Sequence, residues 1–192
     1  MNTKTLSKRR LQIHYVPSTH WDREWYLPFQ GFRYKLVKVV DTLIDILEAD
    51  PRYQRFVFDG QTVALADYLE IKPENRPRLE ALLRSGRILV GPWYTMPDER
   101  ILSGESLIRN LLRGFADARR FGAEPMRYGY VCDIFGHIAQ MPQIFAGMGI
   151  AHALVWRGTN QSVHPAHMIW RAPDGSDVLT FRLDDDGSYG TA

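Results

Sequence analysis

The chain has 192 residues, 45% of them hydrophobic and 24% charged, a composition that can bury one sizeable core and excludes intrinsic disorder as its class. Its 24 Lys and Arg against 22 Asp and Glu leave a formal charge of +2, so no basic stripe follows a phosphate backbone and no nucleic-acid partner is expected. One cysteine, Cys132, excludes an internal disulfide framework; no window approaches the ~20 apolar residues of a membrane span, and the polar start does not read as a secretory signal, so a cytoplasmic location is expected.

In chain order, Gln12 to Pro17 is predicted as a short strand ended by proline, and the polar, aromatic stretch Ser18 to Gly31 as a loop. From Phe32 to Ala49 the apolar residues Leu36, Val39, Val40, Leu43, Ile44 and Leu47 recur at spacings of three and four, which puts them on one face of a helix that covers a sheet. The pattern then repeats: Arg55 to Phe58 as strand, Thr62 to Leu69 and Arg76 to Arg84 as helices, and Arg87 to Val90 as a strand running into a Gly91-Pro92-Trp93-Tyr94 loop. A longer helix over Glu105 to Phe121 is expected to hold Ile108, Leu111, Leu112 and Phe115 on one side, with Gly122 placed to stop it. Strand, loop and helix recur as Tyr128 to Cys132, Asp133 to Ala139 and Gln140 to Met148, before a strand at Ala153 to Trp156. His167 to Arg171 and Val178 to Leu183 read as a hairpin around Asp174-Gly175-Ser176, after which Asp184, Asp185 and Asp186 lead to Ala192 without a closing element. Strands alternating with amphipathic helices imply right-handed parallel crossovers. The expected class is therefore α/β, the N-terminal part of a distorted β/α barrel with a mostly parallel sheet flanked by helices, residues 1–192 forming one portion of a longer catalytic chain.

In such folds ligands sit where loops leave the carboxyl ends of strands. Two loops fit that rule: His20, Asp22, Arg23, Glu24 and Trp25 follow the first strand, and Asp133, Phe135, Gly136 and His137 follow a later one. A His and an Asp one residue apart point the same way on extended backbone, so both can face one divalent ion, and a carboxylate from Asp133 would complete mixed N/O ligation that suits zinc or another transition metal. Taken singly, each residue has a plainer use. A His-x-Asp pair is often structural, Trp21 and Trp25 can pack under a loop, Asp133 can cap a helix, His137 can be a satisfied core histidine, and Asp98-Glu99 can be a solvated turn. Two polar, aromatic clusters at equivalent strand ends are less readily explained that way together.

His20-Trp21-Asp22-Arg23-Glu24-Trp25 resembles the opening His-x-Asp motif of glycoside hydrolase family 38, the α-mannosidase family, and Asp133-Ile134-Phe135-Gly136-His137 resembles its Asp-x-Phe-Gly-His segment. The resemblance implies that His20 and Asp22 bind zinc, that Trp25 lines the sugar subsite, that Asp133 is both nucleophile and metal ligand, and that Phe135 lies near the substrate. Arg157, in Leu154-Val155-Trp156-Arg157-Gly158, is similar to the family arginine that hydrogen-bonds the nucleophile. Asp59-Gly60-Gln61-Thr62 and Gly91-Pro92-Trp93-Tyr94-Thr95 are similar to the bacterial branch that includes mannosylglycerate hydrolase. Ile134 stands where eukaryotic members have proline. The family's second metal-binding histidine and its general-acid aspartate lie further along a longer chain and match nothing here.

The implied activity is metal-dependent, retaining hydrolysis of α-mannosidic bonds through a covalent glycosyl-aspartate, on an α-mannoside or a mannosylated small molecule, with a homo-oligomer left open. Two alternatives stand beside it. One is a metal-dependent deacetylase, because His/Asp sites on α/β barrels also activate water; the other is a carbohydrate- or metal-binding fragment without activity of its own.

Overall fold

The structure, a computed structural model, describes Gln12 and residues 14–184. Among the described residues the order is α1 (Phe29–Ala49), β1 (Phe56–Val57), α2 (Val63–Ile71), a 3₁₀ turn at Pro73–Asn75, α3 (Arg76–Arg84), β2 (Ile88–Leu89), α4 (Gly104–Arg120), β3 (Gly129–Val131), α5 (Met141–Gly147), β4 (His152–Val155), β5 (His167–Arg171) and β6 (Asp177–Arg182). β1 pairs with β2 in parallel; β3, β4 and β6 form a second parallel set, and β5 closes its edge antiparallel to β6. This is the mostly parallel, helix-flanked α/β arrangement expected.

The first strand is shorter and later than expected. Ile13 lies outside the described residues, and the ladder begins with a parallel bridge between Ser18 and Val57. Pro17, which has a carbonyl but no N–H, accepts from Val57 N (3.0 Å), and Thr19 N donates to Val57 O (3.1 Å). The proline therefore takes part in the pairing and does not end it. α1 starts three residues before the predicted helix, with Pro28 at its N-cap and Gly31 N donating to Pro28 O at 2.8 Å. Gly31 belongs to the first turn, where a Cβ would lie 3.1 Å from Leu27 Cβ.

Two apolar clusters hold the layers together. One joins Leu36, Val40, Ile44 and Leu47 of α1 to Leu65, Leu79 and Ile88 of α2, α3 and β2; the other joins Trp93, Leu107, Leu111, Val131, Phe145 and Val155. Within α1, Val39 stays partly exposed while the other predicted face residues are buried. In α4 the predicted face is turned: Leu107, Leu111, Gly114, Phe115 and Ala118 are buried, whereas Ile108 and Leu112 face outward. The cause lies at Gly114, where a Cβ would come within 2.2 Å of Pro92 O and 2.4 Å of Trp93 C. Only a glycine at 114 lets α4 lie so close to the chain at 92–94, and that contact sets which side is buried.

The helix is also tied to that loop. Asn110 Oδ1 accepts from Tyr94 N (2.9 Å) and Thr95 N (3.0 Å), while its Nδ2 donates to Thr95 O (2.7 Å). Ser103 caps the helix by accepting from Ser106 N at 3.2 Å, and Gly122 follows it at φ 85°. The β5–β6 hairpin forms as expected; of the acidic run after it, Asp185 and Asp186 lie outside the described residues. No helix among the described residues is long and apolar enough to cross a membrane.

Candidate active site

The site residues all sit just past the carboxyl ends of parallel strands. His20 follows the Ser18 bridge, Asp59 follows β1, Asp133 follows β3 and Arg157 follows β4. His20, Asp133 and Arg157 open onto a cleft of about 630 Å³, and all six residues singled out from the sequence line it: His20, Asp22, Trp25, Asp133, Phe135 and Arg157.

His20, Asp22 and Asp133 form one cluster, each offering an atom within 4.8 Å of the others. His20 Nε2 lies 3.4 Å from Asp22 Oδ1 and 3.3 Å from Asp133 Oδ2. Ligands about 2.0–2.2 Å from a tetrahedral ion are separated from one another by about 3.3–3.6 Å, so this nitrogen stands at such a distance from each of the two carboxylate oxygens. The chemistry of the set, one imidazole and two carboxylates, suits zinc without selecting it over other transition metals. The side chain of His20 is only 10% exposed. Burial disfavours its charged form, yet the hydrogen bond to Asp59, the charge of Asp59 and the charges of Asp22 and Asp133 outweigh burial, and its pKa is raised.

Asp59 is a residue that sequence reasoning did not select. It is fully buried and takes a positive φ of 88°. Its Oδ2 accepts from Trp21 N (3.0 Å) and Gln61 Nε2 (2.8 Å), its Oδ1 accepts from Gly60 N (2.7 Å), and that same Oδ1 lies 3.5 Å from His20 Nδ1. Gln61 Nε2 also donates to Trp21 O at 2.5 Å, so the chain on either side of Trp21 is gripped from beneath. Arg23 completes the fastening with a two-pronged pair to Asp67 of α2, at 2.7 and 3.0 Å. Trp21 itself is core, as the plainer reading had it.

Trp25 is not core. It is 75% exposed and meets Tyr26 edge-on at 5.0 Å, while Phe135 across the cleft is 73% exposed. Arg157 Nε donates to Asp133 Oδ1, and its guanidinium stands 4.4 Å from the Trp156 ring centre and 5.6 Å from that of Phe135. Asp133 therefore caps no helix; one oxygen is held by Arg157 and the other faces His20. The plainer reading of Asp98-Glu99 as a solvated turn does not hold for Glu99, which is 1% exposed. His137 is a satisfied histidine and lies outside the donor cluster: Nδ1 is 2.8 Å from Glu99 Oε1, and Nε2 is 2.9 Å from Arg157 O.

The profile of the Glycosyl hydrolases family 38 N-terminal domain matches residues 10–191. The chain belongs to glycosyl hydrolase family 38. This family 38 chain is 40% identical over 182 residues to the "Putative mannosylglycerate hydrolase" of Halalkalibacterium halodurans, a match covering 88% of this chain and 20% of that protein. Among solved structures it is similar to an alpha-mannosidase from Enterococcus faecalis V583, with a TM-score of 0.83 and 34% identity over 88% of this chain and 19% of that one. A 4-alpha-glucanotransferase from Thermococcus litoralis, at 13% identity, shares the fold alone, with a TM-score of 0.65 over 89% of this chain and 27% of that one. The chain spans about a fifth of the length of the curated relatives it matches.

Proposed function

We propose that the whole protein is a metal-dependent retaining glycosidase of α-mannosides, mannosylated small molecules included, in which this chain supplies the metal donors His20, Asp22 and Asp133 and the nucleophile, Asp133. The observation that supports it most is the convergence of those three side chains from two separate loops, at ligand spacing, in a family 38 chain. A bound zinc or other divalent ion would hold vicinal sugar hydroxyls and supply Lewis-acid polarisation. The residues do the rest. Arg157 fixes Oδ1 of Asp133, and the Asp133 carboxylate attacks the anomeric carbon as the leaving oxygen takes a proton from a second carboxyl group; water, giving its proton back to that second group, then attacks the same carbon and releases the Asp133 carboxylate. That second group belongs about 5–5.5 Å from Asp133 in a retaining enzyme, and no residue of this chain is assigned to it. Trp25 and Phe135, broad apolar faces left open to solvent at the rim, would pack on the sugar and exclude water. A single, buried cysteine fits a reducing cytoplasm.

Asp133→Ala in the whole protein should abolish hydrolysis of an aryl α-mannoside, and a fluorinated mannosyl probe should leave a covalent adduct on Asp133. Near-normal turnover by the variant, or an active wild type that never carries the adduct, overturns the reading. A deacetylase would release acetate from an acetylated sugar and carry no adduct at all.

A further inference from the structure

Behind the cleft a buried carboxylate and an imidazole are joined to the main chain that carries Arg157. Glu99 Oε1 lies 2.8 Å from His137 Nδ1, and Glu99 Oε2 accepts from Ile138 N at 2.9 Å. His137 Nε2 lies 2.9 Å from Arg157 O, while Arg157 N donates to Cys132 O at 3.2 Å. The peptide groups on both sides of Arg157 are thus held, one by the end of β3 and one by His137, and its side chain reaches Asp133. The two loops also interlock directly. Gly158, at φ 77°, passes so close that a Cβ there would lie 3.0 Å from Gly136 Cα and 3.2 Å from the His137 ring. Trp170 closes the joint, its ring edge-on to His137 at 5.2 Å.

We propose that Glu99 and His137 are positioning residues for Asp133, acting through the main chain and guanidinium of Arg157. The hydrogen inventory shows why both are needed. Both ring nitrogens of His137 face oxygen atoms, one a carboxylate and one a carbonyl, whereas a neutral imidazole has a single N–H. The carbonyl can only accept, so Nε2 carries a hydrogen. Nδ1 then meets Glu99 Oε1 at 2.8 Å, while the other oxygen of Glu99 accepts from Ile138 N. Both ring nitrogens of His137 and both oxygens of Glu99 thus have a partner. Such a joint fixes Arg157 rigidly, and a nucleophile displaced by about 1 Å can lose about 10²-fold in rate.

The inference rests on the reading of Asp133 as nucleophile, and the test separates the two. In the whole protein, Glu99→Met with His137→Phe replaces both polar partners by apolar groups of similar size and strands no buried charge. The thermal midpoint should fall only by what the lost partners of Ile138 N and Arg157 O cost, with kcat on an aryl α-mannoside falling about 10²-fold and KM changing less than about threefold. Added to Arg157→Ala, the same pair should cause little further loss, because its effect runs through Arg157. Glu99→Gln can keep every contact, its amide donating to Nδ1 and its carbonyl accepting from Ile138 N, so kcat should stay within about threefold of the wild type. A paired variant with wild-type kcat, a loss that multiplies fully with that of Arg157→Ala, or an equal loss from Glu99→Gln overturns the proposal. Should the paired variant not fold, Gly158→Ala presses on the same joint from the other side and must show the same kcat-only loss; wild-type kcat there overturns it. A wild type that hydrolyses no α-mannoside would instead sink the glycosidase reading.

Discussion

Asp59→Asn removes a charge from beneath His20 with almost no change in shape. Asparagine tolerates the left-handed backbone that Asp59 adopts, so strain is not the issue. The amide must replace one oxygen by an NH₂ group. In place of Oδ2 it would face two donors, Trp21 N and Gln61 Nε2; in place of Oδ1 it would face only Gly60 N and could donate to His20 Nδ1. The second orientation loses less, about 2–3 kcal/mol for one unmatched buried N–H and weaker remaining bonds. It also reverses the tautomer of His20. With Nδ1 accepting, the hydrogen of a neutral ring moves to Nε2, the nitrogen that faces Asp22 and Asp133 and needs a bare lone pair to ligate. Loss of a carboxylate behind a metal-binding histidine typically lowers affinity about 10- to 100-fold, and that is the expected change here. Removing the charge of Asp59 also weakens the hold of His20 on a competing proton, an effect that fades as pH rises, so the comparison is made across a series of increasing pH values. Zinc titration of the metal-free whole protein against a competing chelator measures it. Wild-type zinc affinity in Asp59→Asn would show that Asp59 does not set the orientation of His20.

Trp25→Ala should leave stability within about 0.5 kcal/mol, since the ring is largely exposed, and raise KM for an aryl α-mannoside about tenfold; an unchanged KM removes Trp25 from the sugar site. Gly114→Ala should destabilise by about 3 kcal/mol or more in chemical denaturation, because the new methyl group meets the carbonyl of Pro92 and the backbone of Trp93 and Tyr94; near-wild-type stability would mean α4 can shift freely. The raised pKa of His20 in the metal-free protein also has a signed consequence. The stability it contributes is present in full below the ordinary histidine value of 6.5 and is lost as pH rises through the raised one. With chelator present, the difference in thermal midpoint between the wild type and His20→Gln should therefore narrow as pH rises above 6.5, and a widening gap contradicts the assignment.

The alternation of strand and amphipathic helix was legible because apolar spacing along a chain reports local geometry, and α3 and β5 run over the residues predicted for them. The six cleft residues were legible too, since His-x-Asp and Asp-x-Phe-Gly-His are short, local patterns at loop positions. Glu99 and Asp59 were not. An acidic residue in a turn looks the same in sequence whether water or a histidine some 38 positions away satisfies it. The buried side of α4 was misjudged for a related reason, because Ile108 and Leu112 are as apolar as Leu107 and Leu111 and only the approach of another segment to Gly114 chooses between the two stripes. What the amino-acid sequence determined alone was the order of elements, the class of fold and which polar residues lie at the loop ends, all of which depend on residues near one another in the chain. What only the tertiary structure decided was burial and partnership: which carboxylate stands behind His20, which pair anchors Arg157, and which aromatic rings stay open to the cleft. Those depend on distances between segments far apart in sequence, and no local pattern encodes such distances.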